Sequence, residues 1–318
     1  MKFDFAPFGY SWSLPSKLLR TDKDALAPIV EATSTHLTTE HGTYTYKKQL
    51  GKGSFGTTYQ ASYKDTNVAI KLLTPDSDET LWDFIKETIL QILLYDATKK
   101  LSDGPYVPSV HEIAYDKKHK QLYIVQEMLD GTFEQLIKSR TKQENELQLP
   151  NDFQAIATQL EWLGTHLQFN HRDFKSDNIM YKGTKEHYTL YLIDFGQSCM
   201  TWNGHVLSAA SYIFPATRQC YRKSRDLTAL FFEIAVYEGN YITKKTRELL
   251  HKLTTFYAHG KQVDMIRNMN WDNTYNFLNE KNVENPKGIP SAVRKTMKSP
   301  KHIRRTTIKH VRSYKNSA

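Results

Sequence analysis

Three stretches rich in Tyr, Thr and Val, bounded by Gly or Asp, open the strongly patterned part of the chain: Tyr44–Leu50, Thr57–Tyr63 and Thr66–Leu73. They predict β-strands, because such side chains suit a pleated, half-buried surface and the bounding residues favour turns. Leu81, Phe84, Ile85, Ile89 and Leu93 then recur at spacings of three and four, which predicts a helix over Leu81–Tyr95. Gln121–Met128 reads as another apolar strand, and Asp130-Gly131 ends it as a turn. Helical patterns dominate afterwards, over Phe133–Ser139, Asp152–Gln168 and Arg225–Tyr237, with short strands around Ile179–Tyr181 and Leu190–Ile193. Residues 1–43 carry Pro7, Pro15 and Pro28 and read mainly as an extension, in which Ala25–Ala32 is a candidate short helix. A strand-rich first part followed by a helix-rich second part predicts an α+β protein of two lobes. There is no internal repeat.

Composition narrows the class. Hydrophobic residues make up 39% and aromatics 12% of the 318 residues, enough for a core and too much for a wholly disordered chain. No apolar run approaches the roughly 18 residues needed to span a bilayer, so no transmembrane segment is expected. The N-terminus lacks the apolar stretch of a secretory signal. Cys199 and Cys220 are the two cysteines, too few for a disulfide framework or a four-thiolate zinc site. They predict small apolar residues in a reducing compartment, hence a soluble, intracellular, cytoplasmic protein.

The net charge of +9 is unevenly placed. From Lys281 to Ala318 there are 11 Lys/Arg against Glu284 alone, a net +10, which leaves residues 1–280 at −1. The basic character therefore belongs to a tail, residues 281–318, expected to be solvated and mobile. Nucleic acid or an anionic surface is the partner such a tail suits. The chain accordingly divides into an extension (1–43), a folded domain (44–280, with lobes at about 44–129 and 130–280) and the tail.

The candidate chemistry lies inside the folded domain. Gly51-Lys52-Gly53-Ser54-Phe55-Gly56 sits between two predicted strands. Three glycines let a loop fold tightly enough for backbone N–H groups to approach phosphate oxygens. Alone it is equally an ordinary Gly-rich hairpin, and strand–loop–strand is not the context of a dinucleotide site. Lys71 ends the run Val68-Ala69-Ile70-Lys71, 15 residues after Gly56. A turn between the strands returns that ammonium beneath the glycine loop, and Glu87 on the following helix is its candidate partner. His171-Arg-Asp-Phe-Lys-Ser-Asp-Asn178 gathers a carboxylate, an ammonium and an amide, and Ile193-Asp-Phe-Gly196 adds a carboxylate at a strand end. Phosphoryl transfer needs these groups: a carboxylate to take the attacking hydroxyl's proton, an amide and a carboxylate to hold magnesium, and lysines to offset phosphate charge.

In order and in kind, these motifs resemble the signature set of the eukaryotic-type protein kinases, over about Leu50 to Tyr237. The resemblance implies a bilobal fold with a small strand-rich N-lobe and a larger helical C-lobe. It implies ATP and Mg²⁺, or Mn²⁺, as cofactors and a protein Ser/Thr hydroxyl as acceptor. Gly51, Lys52, Gly53, Ser54, Phe55 and Gly56 would cover the ATP phosphates. Lys71 would contact the α- and β-phosphates and pair with Glu87. Asp173 would be the catalytic base and Lys175 would steady the γ-phosphate, while Asn178 and Asp194 would bind the metal. Gln126 would stand at the gatekeeper position, with Glu127, Met128 and Leu129 as the hinge. Thr58, Ala69 and Met180 would line the adenine site, and Asp226 would brace the catalytic loop. His171 would be a structural histidine packed near Phe195. Arg172 would meet a phosphate on the activation segment, for which Ser198, Thr201, Ser208, Ser211 and Thr217 are candidates.

Several positions depart from the family pattern. Thr58 replaces a usual valine, Phe214-Pro-Ala-Thr217 lacks the usual glutamate, and Gln91 stands where an apolar residue is customary. The interval from Asp194 to Asp226 is a short 32 residues, and the C-lobe is abbreviated after Tyr237. Together they resemble the protein kinases of large DNA viruses, which would place the chain in a host cell or virion. A catalytically silent kinase-fold scaffold with a basic binding tail, and a small-molecule kinase of related fold, are the alternatives.

Overall fold

The structure, a computed structural model, describes residues 2–4, 13–15, 27–53, 56–202, 205–209, 220–221 and 225–258. The tail 281–318 and the candidate phosphoacceptors Ser211 and Thr217 lie outside them. Strands β1 (Lys2–Asp4) and β2 (Ser13–Pro15) pair antiparallel. Seven strands among the described residues close into a barrel: β3 (Ala27–Ala32), β4 (His36–Thr39), β5 (Gly42–Lys52), β6 (Gly56–Tyr63), β7 (Thr66–Leu73), β8 (Val110–Asp116) and β9 (Gln121–Glu127). Their order is β3-β4-β5-β6-β7-β9-β8. Neighbours are antiparallel except β3 and β8, whose parallel pairing at Ala27–Ala114 and Pro28–Tyr115 closes the ring.

Helix α1 (Asp78–Thr98) connects β7 to β8; Ser77 caps it by accepting from the Thr80 N–H at 3.1 Å. A three-stranded sheet follows from β10 (Gly131–Thr132), β11 (Ile179–Gly183) and β12 (Tyr188–Leu192). Strands β13 (Cys199–Trp202) and β14 (His205–Ser208) form a hairpin. The helices after α1 are α2 (Phe133–Ser139), α3 (Lys142–Leu167), α4 (Arg225–Tyr237) and α5 (Lys244–Ala258).

The described residues group into two compact units. One takes residues up to 133, 159–173 and 177–221; the other takes 134–158, 174–176 and 225–258. In the first, Leu37, Tyr44, Ala61, Val68, Ile70, Ala114, Tyr123 and Val125 fill the barrel. Each large aliphatic side chain buried there contributes about 1.5–3 kcal/mol. Strand alternation turns Ala69 and Lys71 to the opposite face of β7 from Val68 and Ile70. In the second, Leu227, Leu230, Phe231 and Ile234 make the buried stripe of α4, and Phe231 meets Phe153 edge-on with centroids 5.0 Å apart. A buried Arg140–Asp152 ion pair at 2.8 Å joins α3 to the end of α2.

Strand β7 and helices α2 and α4 occupy the predicted residues, and α+β is the observed class. Residues 27–32 are a strand and not the short helix expected over Ala25–Ala32. Ile29 and Val30 favour extended backbone, and the segment is held by β8 at Ala27 and Pro28 and by β4 at Ile29, Glu31 and Ala32. Helix α3 begins ten residues before the expected Asp152. Its start is a capping box: Thr141 Oγ1 accepts from the Glu144 N–H at 3.2 Å, and Glu144 Oε2 accepts from the Thr141 N–H at 2.6 Å. The cysteines also differ from expectation. Cys199 and Cys220 form a disulfide with Cα atoms 5.6 Å apart, so they are not free apolar thiols and give no argument for a reducing compartment. Among the described residues, no helix is long and apolar enough to cross a membrane.

Candidate active site

The glycine loop joins β5 to β6. Gly51 pairs with Thr58 and Lys52 with Thr57, and the Gly53 N–H donates to the Gly56 carbonyl at 2.8 Å. Ser54 and Phe55 lie outside the described residues. The glycines are needed for different reasons. A Cβ on Gly56 would lie 2.1 Å from the Leu72 carbonyl oxygen, so β7 passes too close for any side chain. A Cβ on Gly51 would meet nothing within 4 Å, and one on Gly53 only the Gly56 oxygen at 4.0 Å. Absence of a side chain at those two leaves open space beside the loop.

Pairing of β6 with β7 sets Thr58 opposite Lys71, one strand away from the loop. Lys71 Nζ donates to Glu87 Oε1 on α1 at 2.8 Å. Asp194 completes the group. A Cβ on Gly196 would lie 3.2 Å from Glu87 Oε2 and 3.5 Å from Asp194 Oδ1, so two carboxylates flank that glycine. Burial opposes the charged form of Lys71, but the carboxylates of Glu87 and Asp194 outweigh it and hold the ammonium protonated above the usual lysine range. Asp194 sits at φ 63°, a left-handed conformation that costs a non-glycine residue roughly 1–2 kcal/mol. Such strain is maintained where surrounding contacts over-determine the backbone.

Those contacts are visible around residues 170–199. The His171 Nε2–H donates to the Ile193 carbonyl at 2.8 Å, and its ring lies 5.5 Å from that of Phe195. Asn170 and Cys199 exchange two backbone hydrogen bonds of 3.0 Å. Ser198 Oγ donates to the His171 carbonyl at 3.1 Å. Ser198 and Ser208 are both buried, which removes them as accessible phosphoacceptors. Asn178 Nδ2 donates to the Asp173 carbonyl at 2.7 Å and to its carboxylate at 3.2 Å. That fixes the amide's orientation and leaves Oδ1 as the acceptor available to a cation. Lys175 is half-buried and falls, with Phe174 and Ser176, in the second unit.

The expected hinge follows β9. Ala69 is buried and pairs with Gln126, and Met180 pairs with Thr132 and Tyr191. Glu127 is heavily tied: its N–H donates to the Ser109 carbonyl at 2.9 Å, its Oε2 accepts from the Ser109 N–H and hydroxyl, and its Oε1 pairs with Lys182. Gln91 Nε2 on α1 donates to Gln126 Oε1 at 3.1 Å and to the Pro108 carbonyl at 3.0 Å. Sequence reasoning noted Gln91 as an anomaly, and its explanation is this buried amide pair behind the strand. The Lys182–Glu127 link and a bond from Ser176 to Glu233 had no sequence signal, since each joins residues more than 50 positions apart.

No three His, Cys, Asp or Glu side chains gather as a metal cluster among the described residues. The donor set of one carboxylate, Asp194, and one amide, Asn178, fits a cation of the magnesium type. Such an ion keeps several waters and takes its other ligands from substrate phosphates.

The sequence pattern of the protein kinase domain matches residues 44–219, just over half the chain. Myosin light chain kinase A of Dictyostelium discoideum is 26% identical over 178 residues, which are 54% of this chain and 57% of that protein. The sporulation protein kinase mde3 of Schizosaccharomyces pombe is 30% identical over 164 residues, 48% of this chain and 28% of that protein. Calcium-dependent protein kinase 5 of Plasmodium falciparum is 27% identical over 175 residues, 52% and 28% of the two chains. The chain thus spans at most 57% of the length of these curated relatives.

Proposed function

The chain belongs to the protein kinase domain family, and on that premise we propose that it transfers the γ-phosphoryl group of ATP to serine and threonine hydroxyls of proteins. The observation that carries this reading is the Lys71–Glu87 bond of 2.8 Å with the Asp194 carboxylate alongside. A half-buried ammonium held charged beside two carboxylates is poised to meet a further anion. The open side of Gly51 and Gly53 supports phosphates beneath the loop. In this reading Asp173 takes the proton of the attacking hydroxyl. The hydroxyl oxygen forms the new P–O bond, the bond between the γ-phosphorus and the β,γ-bridging oxygen breaks, and ADP departs. Lys71 orients the α- and β-phosphates, and Lys175 offsets charge on the transferred group. Asn178 and Asp194 would hold Mg²⁺, which would supply charge neutralisation on the phosphates. Glu127, Met128, Ala69, Thr58 and Met180 enclose the adenine.

One similar protein is a myosin light chain kinase, an enzyme named for a protein substrate, which supports a protein acceptor here. A lysine two places after Asp173 favours serine and threonine over tyrosine. The tail 281–318, net +10, adds a salt-sensitive contact with nucleic acid or an anionic surface. The short activation interval favours the narrower likeness to kinases of large DNA viruses. A reaction fed by ATP belongs in a cell interior.

The test is transfer of labelled γ-phosphate from ATP and Mg²⁺ to a basic protein and to the chain itself, followed by phosphosite mapping. Lys71→Met and Asp194→Asn are each expected to reduce transfer by at least ~100-fold. Transfer that survives both substitutions would sink the assignment. A folded parent that neither transfers phosphate nor gains thermal stability with ATP would instead be a silent scaffold.

A further inference from the structure

The loop from Asp173 to Asn178 is fastened at two points. Asn178 ties back to Asp173, as described above. The second fastening is Ser176, which is fully buried. Its hydroxyl donates to Glu233 Oε1 at 3.1 Å and its backbone N–H to Glu233 Oε2, also at 3.1 Å. Glu233 stands on α4, whose buried stripe of Leu230, Phe231 and Ile234 anchors the helix independently of it. Both carboxylate oxygens are engaged by one residue, so Ser176 cannot swing about a single bond. Hydrogen bonds to a carboxylate are the stronger kind.

We propose that Glu233 is a positioning residue for phosphoryl transfer, clamping Ser176 and so fixing the loop that carries Asp173 and Asn178. The proposal rests on the kinase reading. Ser176 lies three residues after Asp173 and two before Asn178, so freedom at Ser176 passes along the chain to both. Displacement of a reacting group by about 1 Å can cost ~100-fold in rate. Packing alone does not call for a carboxylate at 233. Glu233 repels the buried Glu238 just past the end of that helix, so an uncharged residue at 233 would relieve a like-charge interaction. The clamp supplies a reason for keeping the charge.

The full chain serves for the test, with kcat, KM for ATP, thermal midpoint and hydrogen exchange of the Ser176 amide measured on each variant. Glu233→Leu keeps bulk, removes both bonds and removes the repulsion. It is expected to lower kcat ~10- to 100-fold with KM for ATP within about twofold, and to speed exchange at Ser176. Glu233→Gln can still bond both Ser176 groups and is expected to restore kcat to within ~5-fold of the parent. Ser176→Ala loses one bond of two and should fall between, and adding it to Glu233→Leu should cost little more. A folded Glu233→Leu with parental kcat, or with unchanged exchange at Ser176, overturns the proposal. If Glu233→Leu does not fold, a parental kcat in Ser176→Ala overturns it equally. A folded parent without phosphate transfer overturns the kinase reading itself, and the positioning role with it. A parent that transfers phosphate normally, beside an unaffected Glu233→Leu, refutes the clamp alone.

Discussion

Glu238 is the carboxyl whose surroundings most plainly set its chemistry. Burial pushes its pKa up to about 7, Glu134 and Glu233 push the same way, and Lys138, 3.5 Å away, pulls against them. In the unfolded chain the same group titrates near 4.5. Between those values the folded protein holds a proton that the unfolded chain releases. Stability contributed by the protonated form is therefore present at and below pH 4.5 and lost as pH rises toward 7. Thermal midpoints measured from pH 5 to 8 should fall more steeply with rising pH for the parent than for Glu238→Gln. Parallel curves would mean that Glu238 is ionised throughout. Residues of this kind were invisible in the sequence, because the shift comes from neighbours on α2 and α4. Lys71, Glu87, Asp173, Asn178 and Asp194 could be named as candidates because their types and order match a known pattern. What the sequence could not give was their partners: the Gln91–Gln126 amide pair, the tie of Glu127 to Lys182, and the clamp at Ser176.

Elements were legible where local pattern and tertiary role agree. Strand β7 is β-branched and buried, α4 carries an apolar stripe at helical spacing, and both occupy the predicted residues. Strand β3 failed because its conformation is decided by β4 and β8, and β8 lies about 80 residues further along. The start of α3 was missed although Thr141 and Glu144 stand at capping-box spacing; the helix runs on through Pro150, a residue that disfavours helix interiors. The β13–β14 hairpin was unreadable for a similar reason: its anchors are Asn170 and Cys220. The disulfide makes a quantitative claim about this element. Cys199 and Cys220 are 21 residues apart, and closing such a loop removes roughly 3 kcal/mol of entropy from the unfolded chain. Reduction of the parent should lower its thermal midpoint by roughly 5–10 °C. Cys199→Ser/Cys220→Ser should match the reduced parent and ignore the reductant. A parent equally stable with and without reductant would show that the bond does not form in solution.

At the scale of the whole molecule, the question is where the folded body begins. The family pattern starts at residue 44, and the sequence alone suggested an extension before it. Strands β3 and β4 nevertheless complete the barrel, and Leu37 on β4 is fully buried among Tyr44, Ala61 and Tyr123. Without them β5 and β8 would each present an unpaired edge, and the interior of the barrel would lose one wall. Leu37→Ala separates the two views without shortening the chain. If β4 belongs to the core, the lost side chain costs about 2–5 kcal/mol, read as a lower denaturant midpoint with an unchanged slope. If residues before 44 are an appendage, the change stays within about 0.5 kcal/mol, as for a surface site. The glycine loop hangs between β5 and β6, and Lys71 lies one strand further on. A loosened barrel should therefore weaken ATP binding as well, so a Leu37→Ala protein that loses stability but binds ATP normally would place β4 in the core and outside the workings of the site.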